Sequence, residues 1–293
     1  MIEMPLRIFT QSETFPFYIH YGQHEDDDCF IHGHTDFSEL VIVLDGVADH
    51  VVGAVSYPVT KGEVFVINNG TVHGYRNARN FKICNIMFQP HNMFSPTSDI
   101  RQSMGFQALF VVAPHYLQNN QFHSRLTLSL DDFAFVRRLL DEMLVEFQQK
   151  HEGWQTLLSA MFIQLCILLS RHYRADQNEH HSDVFKLSRT IAYIEKHYAE
   201  DIALADLVQT SGYSERQLTR LFHRTFAASP KQYITKLRIQ KAQQLLPDPS
   251  HSIGEVAWSC GFADQNYFSR VFRSETGETP SAYRHRRKGK SPE

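Results

Sequence analysis

The chain has 293 residues, long enough for two domains that each bury a core. Its net charge of -3 hides an asymmetry: residues 184–293 contain 17 Lys and Arg against 11 Asp and Glu, whereas the rest contains 12 against 21, so only the second part suits a phosphate-rich partner. The sequence has no signal-peptide pattern, no Cys-x-x-Cys pair and no uninterrupted apolar run that could span a bilayer, which predicts a cytoplasmic protein without a membrane partner.

Short apolar bursts alternate with polar residues over residues 15–88 and predict strands. Leu40 to Leu44 and Glu63 to Ile67 are two of them, and Asp45-Gly46 and Lys61-Gly62 are predicted to separate such bursts as turns. Many short strands at this spacing indicate an antiparallel sandwich or barrel.

Four potential metal ligands lie within this strand-rich region. His32 and His34 are followed by Glu39 and, after a stretch punctuated by glycines, by His73. This spacing resembles the two sequence motifs of the cupin barrel, in which the two His, the Glu and the later His converge on one metal. Three imidazoles and one carboxylate could hold Fe, Mn, Ni or Zn. Asn68 departs from the resemblance, since the second motif usually has proline there.

Two interpretations of this cluster stay open. With a divalent metal, the site would suit a cupin enzyme, an isomerase or an oxygenase. With no cofactor required, the same side chains would line a small-molecule pocket and form hydrogen bonds with hydroxyl groups. The candidate ligand-binding residues are His32, His34, Glu39, His73, Tyr75 and Arg76, and the first four are also the candidate metal ligands.

Two helices are predicted after the strands. Apolar residues at helical spacing mark residues 131–147 as the first, Gly153 ends it, and the second runs from Trp154 to about Tyr173. Helices joined by so short a break pack antiparallel. The polar stretch from Arg174 to Ser182 has no periodicity and indicates a linker.

One pattern occurs twice between Ile202 and Tyr283. In each copy a short apolar helix runs into a glycine, Gly212 or Gly261, which can adopt the positive φ that ends a helix. A second helix, called the reading helix below, then begins behind an N-cap, Ser214 in the first copy and Asp264 in the second. The pattern predicts two helix-turn-helix units, and a continuous helix from Pro230 to Leu246 is predicted to connect them.

The outer side of each reading helix is polar and basic. Arg can pair with guanine, and Gln or Asn with adenine, so this side suits base edges in a major groove. A solvated face of a helical bundle is the alternative for either helix alone, but the duplication favours DNA. Arg224, Arg273 and the basic tail from Arg284 are expected to neutralise phosphates. The predicted DNA-binding residues are Arg216, Thr219, Arg220, Arg224, Gln265, Asn266, Ser269, Arg270 and Arg273.

The doublet resembles the DNA-binding domain of AraC/XylS-type transcription regulators over about residues 187–287. The second copy carries the resemblance, whereas the first departs from it at Ala227-Ala228, where the family often has a glycine. The resemblance implies a barrel that senses a small molecule and a helical pair that covers the barrel and forms a dimer contact. The barrel is most similar to that of rhamnose-type sugar activators, which implies a sugar-like effector.

The predicted fold class is therefore α+β multidomain. An N-terminal antiparallel, cupin-like β-barrel with a helical pair precedes an all-α domain with two helix-turn-helix units joined by a connector helix. The predicted boundaries are 1–174 for the ligand-binding and dimerisation domain (barrel about 15–125, helices about 131–174), 175–183 for the linker and 184–293 for the DNA-binding domain.

We predict a sequence-specific DNA-binding transcription regulator rather than an enzyme, and an activator that responds to a small metabolite. The expected partners are double-stranded DNA, a sugar-like effector, a second copy of the chain, and RNA polymerase, which Glu255 and Asp264 could face. The alternative from another class is a cupin metalloenzyme that uses the cluster of His32, His34, Glu39 and His73.

Overall fold

The computed structural model describes residues 2–10, 12, 15–24, 31–94, 98–116, 126–173 and 182–288. The chain divides into two compact units, residues 1–188, the sheet unit, and residues 189–293, the helical unit. The boundary lies within one helix, Ser182–His197. Of the predicted linker, residues 175–183, only Ser182 and Asp183 are among the described residues, and they begin this helix.

The strands of the sheet unit belong to one sheet. In chain order they are β1 (Ile2–Met4), β2 (Phe17–His24), β3 (His32–His34), β4 (Ser38–Val52), β5 (Val55–Thr60), β6 (Glu63–Ile67), β7 (Val72–Phe88) and β8 (Leu126–Thr127). Their hydrogen-bonded order is β1-β3-β7-β4-β6-β8, with β2 also paired to β7 and β5 to β4. The two longest strands, β4 and β7, thus lie side by side at the centre.

The sheet is mixed, which corrects the prediction of an antiparallel barrel. β1 runs parallel to β3, with Ile2 opposite His32 and Met4 opposite His34, while the other strand pairs among the described residues are antiparallel. Among the described residues the strands form an open path, so closure of a barrel is not confirmed. Alternation of apolar residues predicts strands but does not give their partners or direction, which depend on distant contacts.

The predicted turn at Asp45-Gly46 is instead an irregularity inside one continuous strand. β4 passes through it beside β7, and the pairing register shifts between Val43 and Asp49. Gly46 has a φ of +73°, and a Cβ there would collide with the backbone oxygens of Arg79 and Asn80. Glycine is therefore required at a bend that lets the first half of β4 pair with β6 and the second half with β5.

Helices complete both units. They are α1 (Pro90–Met93), α2 (Met104–Phe106), α3 (Ala113–Tyr116), α4 (Leu130–Gln149), α5 (Trp154–Tyr173), α6 (Ser182–His197), α7 (Leu204–Ser211), α8 (Glu215–Phe226), α9 (Pro230–Leu245), α10 (Ile253–Ser259), α11 (Gln265–Thr276) and α12 (Pro280–Lys288). Short 3-10 turns occupy Leu6–Ile8 and Asp99–Gln102, and a π-helical segment, Gln107–Val112, joins α2 to α3.

The helical pair α4 and α5 follows its predicted bounds. Ser129 caps α4 by accepting a hydrogen bond from the Asp132 N–H, and Gly153, with a φ of +79°, lies in the break. Among the described helices, α5 alone is long and apolar enough, by length and composition, to cross a membrane. Its Phe162 ring lies 5.3 Å from that of Phe17 and 4.9 Å from that of Phe88, so this face packs on the sheet.

The helical unit is built around α9. This helix contacts α8, α10 and α11, so it connects both helix-turn-helix units as predicted. Lys241 of α9 forms a buried ion pair with Glu195 of α6, at 2.8 Å between Nζ and Oε2. Both side chains are almost fully buried, at 2% and 3% exposure. This pair fixes α9 against α6 within the same core.

The loops after the two reading helices, α8 and α11, share one conformation although their residues differ. Ala227 has a φ of +50° and donates its N–H to the His223 carbonyl, and Gly277 has a φ of +82° and donates to the Arg273 carbonyl. The absence of glycine after α8 therefore leaves the helix end unchanged. An alanine in the left-handed region costs about 1 kcal/mol.

Ala227→Gly is expected to raise the free energy of unfolding of the helical unit by up to about 1 kcal/mol, because glycine has no Cβ to oppose a positive φ. The reciprocal change, Gly277→Ala, should lower it by a similar amount. Nothing lies within 4 Å of a Cβ built on Gly277, so backbone conformation alone sets its effect. The measurement is the urea concentration at which α9 loses protection from hydrogen exchange. Shifts of the same sign in both variants would contradict the prediction.

Candidate DNA-binding surface and sensor site

α8 is oriented by its cap and its apolar side. The Ser214 N–H donates to Gln217 Oε1 at 3.1 Å, and Ser214 Oγ accepts from the Gln217 N–H at 3.4 Å, which is a capping box. Leu218 and Phe222 are fully buried. Because the apolar side faces the core, the opposite side of α8, with Arg220, faces solvent.

α11 has the same arrangement. Asp264 Oδ1 accepts a hydrogen bond from the Tyr267 N–H at 2.5 Å, which confirms Asp264 as the N-cap. Phe268 and Phe272 are fully buried, and Arg270 is exposed on the other side. The two reading helices thus present equivalent faces of one compact unit.

All nine predicted DNA-binding residues lie on these two faces. Seven are exposed, namely Arg216, Arg220, Arg224, Gln265, Asn266, Arg270 and Arg273, and two are partly buried, namely Thr219 and Ser269. Below, the reading face of α8 means Arg216, Thr219, Arg220 and Arg224, and the reading face of α11 means Gln265, Asn266, Ser269, Arg270 and Arg273.

Sequence reasoning missed Tyr267. Its ring is 44% exposed beside the reading face of α11, and the Arg270 guanidinium lies 5.6 Å from the ring centroid. An aromatic residue one turn before an arginine on a helix was the available signal, because residues three apart lie on one side.

Gly254 also matters, since a Cβ there would lie 2.9 Å from Gln265 Oε1. A glycine at this position leaves room for the Gln265 side chain.

Two arginines of the predicted phosphate-binding tail have partners within the protein. Arg284 donates from Nε to the Leu246 carbonyl at 2.7 Å and from Nη2 to the His251 carbonyl at 2.8 Å. Arg286 forms an ion pair with Glu278 at 2.6 Å. Arg284 therefore holds the loop that follows α9 through these two carbonyls.

In the sheet unit the four candidate metal ligands come together. β3 supplies His32 and His34, β4 supplies Glu39 and β7 supplies His73, which lies opposite His32 in the register. The Nε2 atoms of His34 and His73 are 3.2 Å apart, and Glu39 Oε2 lies 3.5 Å and 3.4 Å from them. With His32 included, one ligand atom from each residue lies within 4.8 Å of the others. These four residues are the sensor cluster.

The geometry and chemistry of the sensor cluster fit a metal ion. Donors at about 2.1 Å from a shared ion are separated by about 3.0 Å in an octahedral set and about 3.4 Å in a tetrahedral one, and the three closest donors are 3.2–3.5 Å apart. Glu39 Oε2 is buried and has no hydrogen-bond partner among the described residues. The Nδ1 atoms of His34 and His73 also have none there, and the His34 ring is held by stacking on Phe37 at 4.2 Å. The donor atoms are therefore close enough together to share one ion.

Burial favours the neutral forms of His34, Glu39 and His73 in the metal-free protein. Desolvation lowers the pKa of His34 to about 3 and raises the pKa of Glu39 to about 8. Burial and the neighbouring histidines His50, His34 and His32 lower the pKa of His73 well below its ordinary value. The contacts of 3.4–3.5 Å are therefore not ion pairs at neutral pH, although the groups are close enough for them.

The two remaining predicted ligand-binding residues, Tyr75 and Arg76, lie on opposite faces of β7. Tyr75 is buried, and its ring lies 6.3 Å from that of His73 and 5.1 Å from that of His50. Arg76 is exposed opposite Asp49, because successive residues of a strand point to opposite faces. Tyr75 thus lies beside the sensor cluster, and Arg76 does not.

Comparison with known proteins identifies two domains that correspond to the two parts of the chain. Residues 15–185 match the model of the AraC-like ligand binding domain, and residues 207–286 match that of a helix-turn-helix domain. The chain is 30% identical over 261 residues to the HTH-type transcriptional activator RhaR of Yersinia pestis, covering 88% of this chain and 86% of that protein. This chain belongs to the AraC family of transcription regulators.

Other relatives of this AraC-family chain carry similar descriptions. A RhaR activator of Mannheimia succiniciproducens is 27% identical over 256 residues, covering 87% of each protein. A solved transcriptional regulator with an AraC-type DNA-binding domain, from Chromobacterium violaceum, is 32% identical over 36% of this chain and 95% of its own, with a TM-score of 0.35. The AraC-family chain is a DNA-binding transcription regulator, so the prediction of a regulator rather than an enzyme is confirmed.

Glu39 is expected to give the metal-free AraC-family protein a pH-dependent stability. Its folded-state pKa of about 8 lies above the ordinary 4.5, so its favourable contribution is complete below pH 4.5 and is lost as the pH rises through 8. Relative to Glu39→Gln, the wild type should therefore lose on the order of 1 kcal/mol of unfolding free energy per pH unit within this window. Thermal unfolding with a chelator present, between pH 5 and 8, measures this, with the exposed Glu152→Gln as control. A constant difference between wild type and Glu39→Gln would contradict it.

Proposed function

We propose that the AraC-family chain binds its DNA site through the reading faces of α8 and α11, which enter successive major grooves on one side of the duplex. The observation that carries the proposal is that all nine predicted DNA-binding residues of α8 and α11 are at least partly exposed on these two matched helices. α9 contacts both helix-turn-helix units, so the reading faces of α8 and α11 belong to one rigid arrangement. Such helices should lie about 34 Å apart on the duplex.

Duplex binding by the full-length protein tests this proposal. The probe is a duplex selected from random sequence for tight binding. The logarithm of its association constant should fall linearly with the logarithm of the salt concentration, because phosphate contacts release counterions. The matched control is a fragment of equal length in which only the selected site is scrambled. Equal affinity for both fragments would show that the faces do not read bases.

The sheet unit is proposed to be the sensor for a small metabolite. The match to the AraC-like ligand binding domain supports this, and the sequence resemblance to sugar activators favours a sugar-like effector. A ligand can alter DNA binding only if it binds one state of the protein more tightly than the other. We also propose that the protein acts in the cytoplasm as an activator, on the description of its relatives as activators.

RNA polymerase is the proposed partner of an activator of this kind. The two acidic residues predicted to face it already have a structural role, since Glu255 accepts from the Ser252 N–H at 2.6 Å and Asp264 caps α11. Both are nevertheless exposed, so their charge is accessible at the surface. Glu255 and Asp264 would then act on the polymerase through charge while they cap their helices.

A divalent transition metal is proposed to bind the sensor cluster. His34, Glu39 and His73 would hold it through the three closest donors, and His32 would be the fourth ligand. The ion would supply a positive centre that attracts oxygen ligands. Metal analysis of the purified protein, with His73→Ala as the variant expected to lose the ion, tests this. Equal metal content in both proteins would refute the assignment.

A second copy of the chain is proposed to bind at the α4–α5 surface. An open groove there is lined by apolar residues, including Val145 and Leu157, which are 48% and 51% exposed, and by Gln164 and three acidic residues. Leu157→Glu should convert a dimer to a monomer in analytical ultracentrifugation, because a buried charge without a partner is strongly unfavourable. Leu130→Glu is the matched control, since Leu130 is 88% exposed and is not part of the groove lining. A dimer of unchanged affinity in the Leu157 variant would place the interface elsewhere.

A further inference from the structure

The charge of the sensor cluster restricts what it can bind. Glu39 is the one carboxylate among the buried residues described in the sheet unit. Its partners are imidazoles, and a histidine must be neutral to bind a metal ion through a ring nitrogen. A divalent ion held by neutral histidines and one carboxylate would keep one uncompensated positive charge.

Two other carboxylates on the strands and turns that carry the cluster accept hydrogen bonds near the surface. Asp36 Oδ1 accepts a hydrogen bond from the Leu6 N–H at 2.8 Å, and Asp49 Oδ2 accepts one from Asn77 Nδ2 at 2.6 Å. Asp36 is exposed and Asp49 is partly exposed. They are screened by water, so they compensate a buried charge only weakly.

The surroundings of the cluster make an uncompensated charge costly. The ring of Phe37 stacks on that of His34, and the ring of Phe65 stacks on that of His50 at 4.7 Å. His50 in turn lies 5.6 Å from His73. A charge among buried rings is poorly solvated, so a ligand that brings a negative charge is favoured over a neutral one.

The position of His32 shows where such a ligand can enter. His34, Glu39 and His73 are buried, whereas His32 is partly exposed and is thus the one donor of the sensor cluster that reaches solvent. The three buried donors form the close triangle of 3.2–3.5 Å. The side near His32 is therefore the accessible side of the site.

We propose that the effector of this regulator is a small monoanionic oxygen chelator, a 2-hydroxycarboxylate such as a sugar acid, and not a neutral sugar. The carboxylate supplies the missing negative charge, and the neighbouring hydroxyl supplies a second oxygen donor. This inference rests on the proposed metal at the sensor cluster and names the class of ligand that the loaded site selects.

The test compares probes that share a carbon skeleton. Full-length protein is loaded with Co²⁺, and its metal content, melting temperature and visible absorption are recorded with D-gluconate, with its neutral alcohol D-sorbitol, and with lactate. Gluconate is expected to bind about tenfold or more tightly than sorbitol, to raise the melting temperature and to change the Co²⁺ absorption. Without metal, the two six-carbon probes should be indistinguishable. Lactate separates recognition of the shared 2-hydroxycarboxylate group from recognition of the longer sugar chain.

Each result decides between ligand classes. Preference for gluconate with Co²⁺ retained supports the proposal, and comparable binding of lactate assigns recognition to the 2-hydroxycarboxylate alone. Equal or tighter binding of sorbitol overturns it, and so does removal of Co²⁺ from the protein by gluconate. If the protein takes up no metal, the metal assignment fails together with this inference, while the salt-dependent DNA binding that tests the regulator itself is unaffected. Glu152→Gln, an exposed change outside the cluster, should behave as wild type throughout.

Discussion

Lys241→Met is expected to lower the free energy of unfolding of the helical unit by about 3–5 kcal/mol, because it removes the ammonium that forms an ion pair with the buried Glu195 carboxylate. Lys241 Nζ lies 2.8 Å from Glu195 Oε2, and neither side chain has more than 3% exposure. The Lys241 ammonium also lies 5.0 Å from the centroid of the Tyr198 ring. Few single changes in this unit would remove a comparable interaction, so its stability should depend strongly on this pair.

A double variant distinguishes the effect of removing the ion pair from the effect of changing the packing around Lys241. Glu195→Leu combined with Lys241→Met replaces both charges by apolar side chains of similar size, and such replacements are often neutral or stabilising. Most of the stability lost in Lys241→Met should therefore return. The measurement is the urea midpoint of hydrogen exchange for α6 and α9 peptides. A double variant as unstable as Lys241→Met would show that lost packing, and not the loss of the ion pair with Glu195, causes the destabilisation.

The helices of both units were predictable because their signals are local. A cap, a glycine and an apolar side within about a dozen residues determine each helix, so the starts of α5 and α9, at Trp154 and Pro230, agree with the sequence. The exposure of Arg220 and Arg270 follows from the same periodicity. The departure at Ala227 left the helix end unchanged because a left-handed alanine costs only about 1 kcal/mol, which the neighbouring packing offsets.

Features that depend on distant residues were not predictable. The parallel pairing of β1 with β3 joins residues about thirty positions apart, and nothing local to Ile2–Met4 specifies it. The same holds for Asp45-Gly46, where only the approach of Arg79 and Asn80 reveals a bend within a strand. In contrast, the spacing of the sensor cluster was informative, because neighbouring strands place His32 opposite His73.

Arg220→Ala with Arg270→Ala is expected to weaken binding of the selected duplex by about 100-fold or more. Each arginine that contacts a guanine with two hydrogen bonds is worth about 1–3 kcal/mol of discrimination, and the two act in different grooves, so their effects should add. Both side chains are exposed at matched places on α8 and α11, and the core residues Phe222 and Phe272 behind them are untouched. Folding should therefore be preserved, which circular dichroism can verify.

The pattern across sequences shows what each arginine contacts. If Arg220 and Arg270 read bases, each single variant relaxes the preference at one position, and the two positions lie about one helical turn apart. If they contact phosphates instead, affinity falls equally for every sequence and the salt slope decreases by about one per arginine. Arg138→Ala, an exposed arginine of α4 in the sheet unit, should change neither quantity. Two relaxed positions that are adjacent, and not a turn apart, would rule out the proposed placement of α8 and α11 in successive grooves.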